Sequence, residues 1–291
     1  MSPLTAVPMS AAFRWASAAV FAASLAIGGQ TLADELVSFP SLDGGLTGGA
    51  PTILRGVLLR PPGPGPFPAV VALHGCNGLF GKQGQLVARE AAWGEILTAR
   101  GYVVLFPDSF GPRGVTSDCK GGPWPERVDD AYGALRYLQS QPFVIGERVG
   151  LIGWSHGGGA VAFAVAPTDN ARPADLPKGD FRAAVAFYPS WCSLLGDNWT
   201  TAIPFLLELG ASDDNTPPRP CDDRVHSALE RGASAQIVVY AGAYHDFDWP
   251  GDTLHAVAGP SGTMVHYGEN DAARADALTR VPAFLDAYLK P

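Results

Sequence analysis

Apolar positions along the chain form two kinds of run. Ala69-Val70-Val71-Ala72-Leu73, Tyr102-Val103-Val104-Leu105-Phe106 and Val149-Gly150-Leu151-Ile152-Gly153 are near-continuous, as in strands buried on both faces. Ile53–Leu59, Ala183–Phe187, Ile203–Leu209 and Gln236–Tyr240 read as further strands. Helical spacing separates them. Leu86–Arg100 is a helix ended by Gly101, and Glu126–Gln139 carries Val128, Ala131, Leu135 and Leu138 on one face. Gly157–Ala166, the later part of Pro218–Gly232 and Ala272–Leu289 complete the helices. Strand and helix alternate, which predicts an α/β fold with a mostly parallel central sheet and helices on both faces. There is no internal repeat and no linker with a shift in composition. One domain from about residue 34 to the end is the simplest division.

The first 33 residues differ from this pattern. They hold no acid and one base, Arg14, followed by the apolar stretch Trp15–Gly29. Thr31-Leu32-Ala33 then places small residues at the −3 and −1 positions of a cut before Asp34. This layout predicts a secretory signal peptide over 1–33, and the run is short for a membrane span. No later segment could cross a bilayer. The chain is acidic, 20 Lys+Arg against 28 Asp+Glu, and has no basic run, which argues against a nucleic-acid partner. Four cysteines follow the leader: Cys76, Cys119, Cys192 and Cys221. An even count in an oxidising compartment suggests two disulfides, with three connectivities open, and the spacings match no zinc site.

Gly153-Trp154-Ser155-His156-Gly157 fits G-x-S-x-G and lies between a predicted strand and a predicted helix, the context that motif requires. Such a turn lifts a serine hydroxyl above the sheet edge, so Ser155 is the candidate nucleophile. A serine needs a base. In the α/β-hydrolase chain order, an acid and then a histidine follow the serine. His245, just past the strand Gln236–Tyr240, is the candidate base, whereas His74 and His156 do not follow an acid in that order. His226 falls within a predicted helix, and His255 and His266 in a polar late segment. The acid is expected after Ile203–Leu209, where Asp213 is the first candidate and Asp214 its rival. An oxyanion needs two backbone N–H donors. His156 supplies one, and the loop His74-Gly75-Cys76-Asn77-Gly78 the other, through Cys76 or alternatively Gly75. Trp124, Trp191, Trp249 and Phe80 sit on predicted loops as candidate walls of an apolar pocket. Trp154 and Arg113 are candidate substrate contacts. Arg113 would clamp a carboxylate, or else staple its loop to Asp108 or Asp118. Nothing in the chain offers a phosphate cradle or metal cluster, and the chemistry needs no cofactor.

Taken together, these segments resemble the dienelactone hydrolase family of α/β-hydrolases. The matching pieces are Leu73–Leu79, Phe106-Pro107-Asp108-Ser109-Phe110-Gly111, Gly153–Gly158, Gly210–Pro217 and Tyr244-His245-Asp246-Phe247, in the family's order over about residues 50–290. The resemblance implies a single domain with little or no lid that hydrolyses lactones and other carboxylic esters. The best-known members carry Cys in the nucleophile turn, where this chain has Ser155. The resemblance therefore supports ester hydrolysis better than a dienelactone substrate. An exported serine hydrolase cleaving small esters or lactones through an acyl-enzyme is the expectation. The alternatives are a lipase, polyester hydrolase or peptidase on the same fold, or a non-catalytic secreted binding protein. The resemblance and the loops flanking Ile203–Leu209 both point to a Cys192–Cys221 pair, which leaves Cys76–Cys119.

Overall fold

In the computed structural model, the described residues are 35–119, 121, 125–167, 172–173, 175–259 and 262–291. The expected leader and Trp124 lie outside them. The described residues belong to one compact unit, residues 32–291.

The chain enters through β1 (Glu35–Pro40) and a short helix, α1 (Gly44–Thr47). β2 (Ile53–Leu59), β3 (Phe67–Leu73), α2 (Ala88–Ala99), β4 (Val103–Asp108), α3 (Glu126–Ser140), β5 (Val144–Trp154) and α4 (His156–Ala164) follow. The second half holds β6 (Ala184–Phe187), β7 (Phe205–Gly210), α5 (Arg219–Glu230), β8 (Ala235–Tyr240), β9 (His255–Ala258), β10 (Met264–Tyr267) and α6 (Asp271–Leu289). β1 to β8 form one sheet in the order β1-β2-β4-β3-β5-β6-β7-β8. β1 and β2 run antiparallel at one edge, and the neighbours from β4 to β8 are parallel. The sheet is therefore mostly parallel, as the apolar runs predict. β9 and β10 form a separate antiparallel hairpin.

Alternation along each strand sorts the core into two layers. Val71, Leu105 and Leu151 pack with α3, α4 and α5 on one face. Val70, Val104 and Ile152 pack with Trp93 and Leu97 of α2 and with α6 on the other. Both faces of the middle strands are covered, which is why those strands read as unbroken apolar runs. Each fully buried Val, Leu or Ile contributes about 1.5–3 kcal/mol. Parallel strands all end on one edge of the sheet, and the loops leaving β3, β5, β7 and β8 bring their polar residues together there.

Two elements escape the sequence reading. β1 alternates exposed and buried positions and sits at the sheet edge. The β9–β10 hairpin occupies the polar late segment, and all four residues of β9 are exposed.

Candidate active site

Ser155 stands between the end of β5 and the first residue of α4. Its backbone has φ 51° and ψ −111°, a conformation that L residues seldom adopt and that must be held by its surroundings. The surroundings do hold it. Its amide donates to the Phe187 carbonyl at 3.0 Å, and its carbonyl accepts from Gly159 at 2.8 Å and Ser190 at 3.0 Å. Glycine is required beside it for space: a Cβ on Gly157 would lie 2.2 Å from the Leu73 carbonyl oxygen. The first turn of α4 can thus press against the end of β3.

Ser155 and His245 line the same cavity, of about 460 Å³. His245 follows β8, and its ring Nδ1–H donates to Asp213 Oδ2 at 2.7 Å. Asp213 lies just past β7. Its Oδ1 accepts the amides of Asn215 (3.0 Å) and Thr216 (2.8 Å), and the Thr216 hydroxyl donates to Oδ2 at 2.8 Å. The imidazole is flanked by Tyr188, with ring centroids 4.5 Å apart, and by the edge of Tyr267 at 5.2 Å. Burial disfavours the imidazolium, but the charge and hydrogen bond of Asp213 prevail, so the pKa of His245 is above its ordinary value. Asp214, the rival acid, turns elsewhere: its two oxygens accept the amide of His266 at 2.7 Å and its ring at 2.6 Å.

The loop after β3 closes the other side. Cys76 lines the cavity, and among the described residues its amide donates to no protein acceptor. His156 opens α4, and first-turn amides point out of the helix ladder. Neither nearby imidazole is a usable base. His74 is buried, with Nδ1–H donating to the Gly75 carbonyl at 2.7 Å and Nε2 accepting from the Ser109 amide at 3.3 Å, and burial holds its pKa far down. Burial, and then the charge of Arg127, push His156 down to about 2.

The cleft has two lobes that share Cys76, Cys119, Ser155 and Tyr267. One carries Arg89, Asp246, Trp249 and the hairpin residues His255 and Val257. The other, of about 260 Å³, carries Ser190, Trp191, Ser193 and Pro217. Two of the expected wall aromatics, Trp191 and Trp249, are therefore in place. Phe80 packs instead against the core layer of α2 and α6. Both disulfides border the cleft, Cys76–Cys119 and Cys192–Cys221, as expected.

Two expected substrate contacts are corrected. Arg113 is not among the residues lining either lobe. Its guanidinium donates to both oxygens of Asp130 (2.9 and 2.8 Å), to Asp43 (2.7 Å) and to the Ser109 carbonyl (2.6 Å). It is a staple, and its partners are neither Asp108 nor Asp118. Asp108 instead accepts the amides of Phe110 and Gly111. Trp154 is fully buried, because strand alternation sends it with Ile152 to the α2 and α6 face. Its indole N–H donates to Asp248 at 2.8 Å.

Sequence reading missed a buried polar network behind His245. Arg89, on α2, donates to Asp246 and Glu90, each at 2.7 Å, and its guanidinium lies 4.8 Å over the Trp249 ring. Asp248 accepts the indoles of Trp93 and Trp154 and the Tyr188 hydroxyl. Arg89 reaches across to the β3 loop as well: a Cβ on Gly75 would lie 2.9 Å from its Nη2. The one sequence signal was a charged pair, Arg89-Glu90, at the start of α2.

A serine in a strained turn and an imidazole held by a carboxylate, both lining one cavity, can together carry acyl transfer. Among solved structures, the dienelactone hydrolase-like promiscuous phosphotriesterase P91 from metagenomic libraries superposes with a TM-score of 0.61 at 20% identity, covering 88% of this chain and 99% of its own. Esterase 2 of Thermogutta terrifontis, phosphorylated by paraoxon, superposes with a TM-score of 0.57 at 17% identity, covering 89% and 96%. At such identities the likeness shows the α/β-hydrolase fold. The sequence itself matches the profile of the dienelactone hydrolase family over residues 54–289, and the chain belongs to that family.

Proposed function

We propose that the protein is a serine hydrolase that cleaves small carboxylic esters or lactones through an acyl-enzyme. The observation that carries this is Ser155 sharing one cavity with a His245 imidazole held 2.7 Å from Asp213. Family membership supports the ester-hydrolysing activity.

His245 takes the Ser155 proton as the hydroxyl attacks the ester carbonyl. Asp213 fixes the ring with its Nδ1–H outward to the carboxylate, so that Nε2 is the basic nitrogen, and stabilises the imidazolium that forms. The amides of Cys76 and His156 receive the developing oxyanion. His245 returns the proton to the leaving alcohol, and water then repeats the sequence to release the acid. With Ser155 in place of a thiol, this base is needed for activation.

The protein acts outside the cytoplasm, after removal of residues 1–33. The leader pattern and the two disulfides support this reading. Among the described residues no helix is long and apolar enough to cross a membrane.

Hydrolysis of p-nitrophenyl acetate and butyrate by the wild type and by Ser155→Ala tests the proposal. The variant should lose about 10³-fold or more in kcat while staying folded. Equal activity in both would refute it, and inertness of the wild type toward a panel of esters and lactones would favour a binding protein.

A further inference from the structure

The buried groups that this mechanism leaves unused include Arg127, in the first turn of α3 and fully buried. Its Nη2 donates to the carbonyl of His74 at 2.8 Å, and its Nη1 donates to Nδ1 of His156 at 2.8 Å. His74 stands two residues before Cys76, and His156 directly follows Ser155. One side chain therefore holds both segments that carry the oxyanion amides. Phe110 fills the space between them. Its ring meets His74 edge-on at 4.8 Å and His156 at 5.5 Å, and the Arg127 guanidinium lies 5.3 Å over it.

Among the described residues, no carboxylate forms an ion pair with Arg127. Asp130, the carboxylate whose field it feels most, bonds Ser41 and Arg113 instead. Burial draws the guanidinium down to about 10, which leaves it a cation at neutral pH. An apolar side chain of the same volume would fill this space without the cost of burying a charge. A fixed positive charge held against the segments that carry backbone donors is what an oxyanion site uses.

Building on the reading of Ser155 given above, we propose that Arg127 is a positioning residue of the oxyanion site. It fixes the β3 loop through His74 and the nucleophile turn through His156, and it makes the space between their amides favourable to negative charge.

Arg127→Met and Arg127→Lys test this with p-nitrophenyl butyrate and an alkyl boronic acid. Boron accepts the Ser155 oxygen while the serine proton passes to His245, so the adduct is a tetrahedral anion like the transition state. Arg127→Met should lower kcat by at least about tenfold with KM within about threefold, and should weaken the boronic acid by a factor matching the loss in kcat. Its melting temperature should fall, because the His74 carbonyl and His156 Nδ1 lose their buried donor. Arg127→Lys keeps the charge and should recover part of kcat and of boronate affinity together. A purely structural role predicts the lower melting temperature alone, with kcat and boronate affinity unchanged in whichever variant folds. That result overturns the proposal. If Arg127→Met does not fold, Arg127→Lys decides: losses in kcat and boronate affinity that track each other support the proposal, and wild-type values for both overturn it. Ser155→Ala separates the two levels. An inactive Ser155→Ala beside a fully active Arg127 variant refutes Arg127 alone, whereas an active Ser155→Ala refutes the nucleophile and this inference with it.

Discussion

His245 should set the pH dependence of the reaction. In the proposed mechanism the free imidazole is the active form, and the Asp213 charge raises its pKa above the ordinary value against the pull of burial. The kcat/KM profile should therefore rise through an apparent pKa above about 6.5 and be lost on acidification. Asp213→Asn removes the raising charge, so the acid limb should move to lower pH while kcat falls by about 10³- to 10⁴-fold. A limb that does not move in that variant would contradict the assignment. The proposed triad was legible as a set because each member follows a strand by a few positions, in a local motif whose chain order is fixed. Arg113 was not, because its partners Asp130 and Asp43 lie 17 and 70 residues away, on α3 and before α1. Nothing local distinguishes a guanidinium facing a cleft from one facing two buried carboxylates. Arg113→Ala leaves Asp130 and Asp43 unpaired and should cost about 3–5 kcal/mol in denaturant unfolding. Relative kcat/KM for neutral and carboxylate-bearing esters should stay the same, and a selective loss on the latter would restore the clamp.

At the scale of elements, the central strands and their helices were readable because burial on both sheet faces leaves an unmistakable apolar run. The β9–β10 hairpin was not. Its strands are four residues each, β9 is exposed along its length, and neither contributes an apolar run. It nonetheless shapes the site. Tyr267 at its end forms a parallel bridge with His245 and packs its ring edge on the imidazole. The hairpin is tied to the acid loop by Asp214 and His266. Both side chains of that pair are about two-fifths exposed, so the pair contributes little to stability. Asp214→Ala should lower the melting temperature by no more than about 4 °C, yet reduce kcat/KM several-fold by loosening Tyr267 against His245. Thermal melts and steady-state kinetics on the same preparation check this, and unchanged kinetics would show that the hairpin does not support the histidine.

At the scale of the whole molecule, the sequence shows that strands and helices alternate but not their order in the sheet. The order β1-β2-β4-β3-β5-β6-β7-β8 depends on pairings between distant segments. The two disulfides act across such distances. Cys76–Cys119 spans 43 positions and Cys192–Cys221 spans 29, so each stabilises the fold by about 3.5–4 kcal/mol through the unfolded chain. Replacing either pair by serine should lower stability by a similar amount. Only loss of Cys76–Cys119 should also lower kcat, since Cys76 is the proposed oxyanion donor. Equal kcat in the two double variants, measured where both are folded, would remove Cys76 from that role. The central claim is that Ser155 becomes covalently acylated, and peptide mapping by mass spectrometry after treatment with a phosphorylating ester such as paraoxon tests it most directly. The account predicts one phosphoryl group per chain on the peptide containing Ser155, loss of esterase activity in step with labelling, and no label in Ser155→Ala. Esterase activity that survives complete labelling of Ser155, or a label on another residue that abolishes activity, would contradict it.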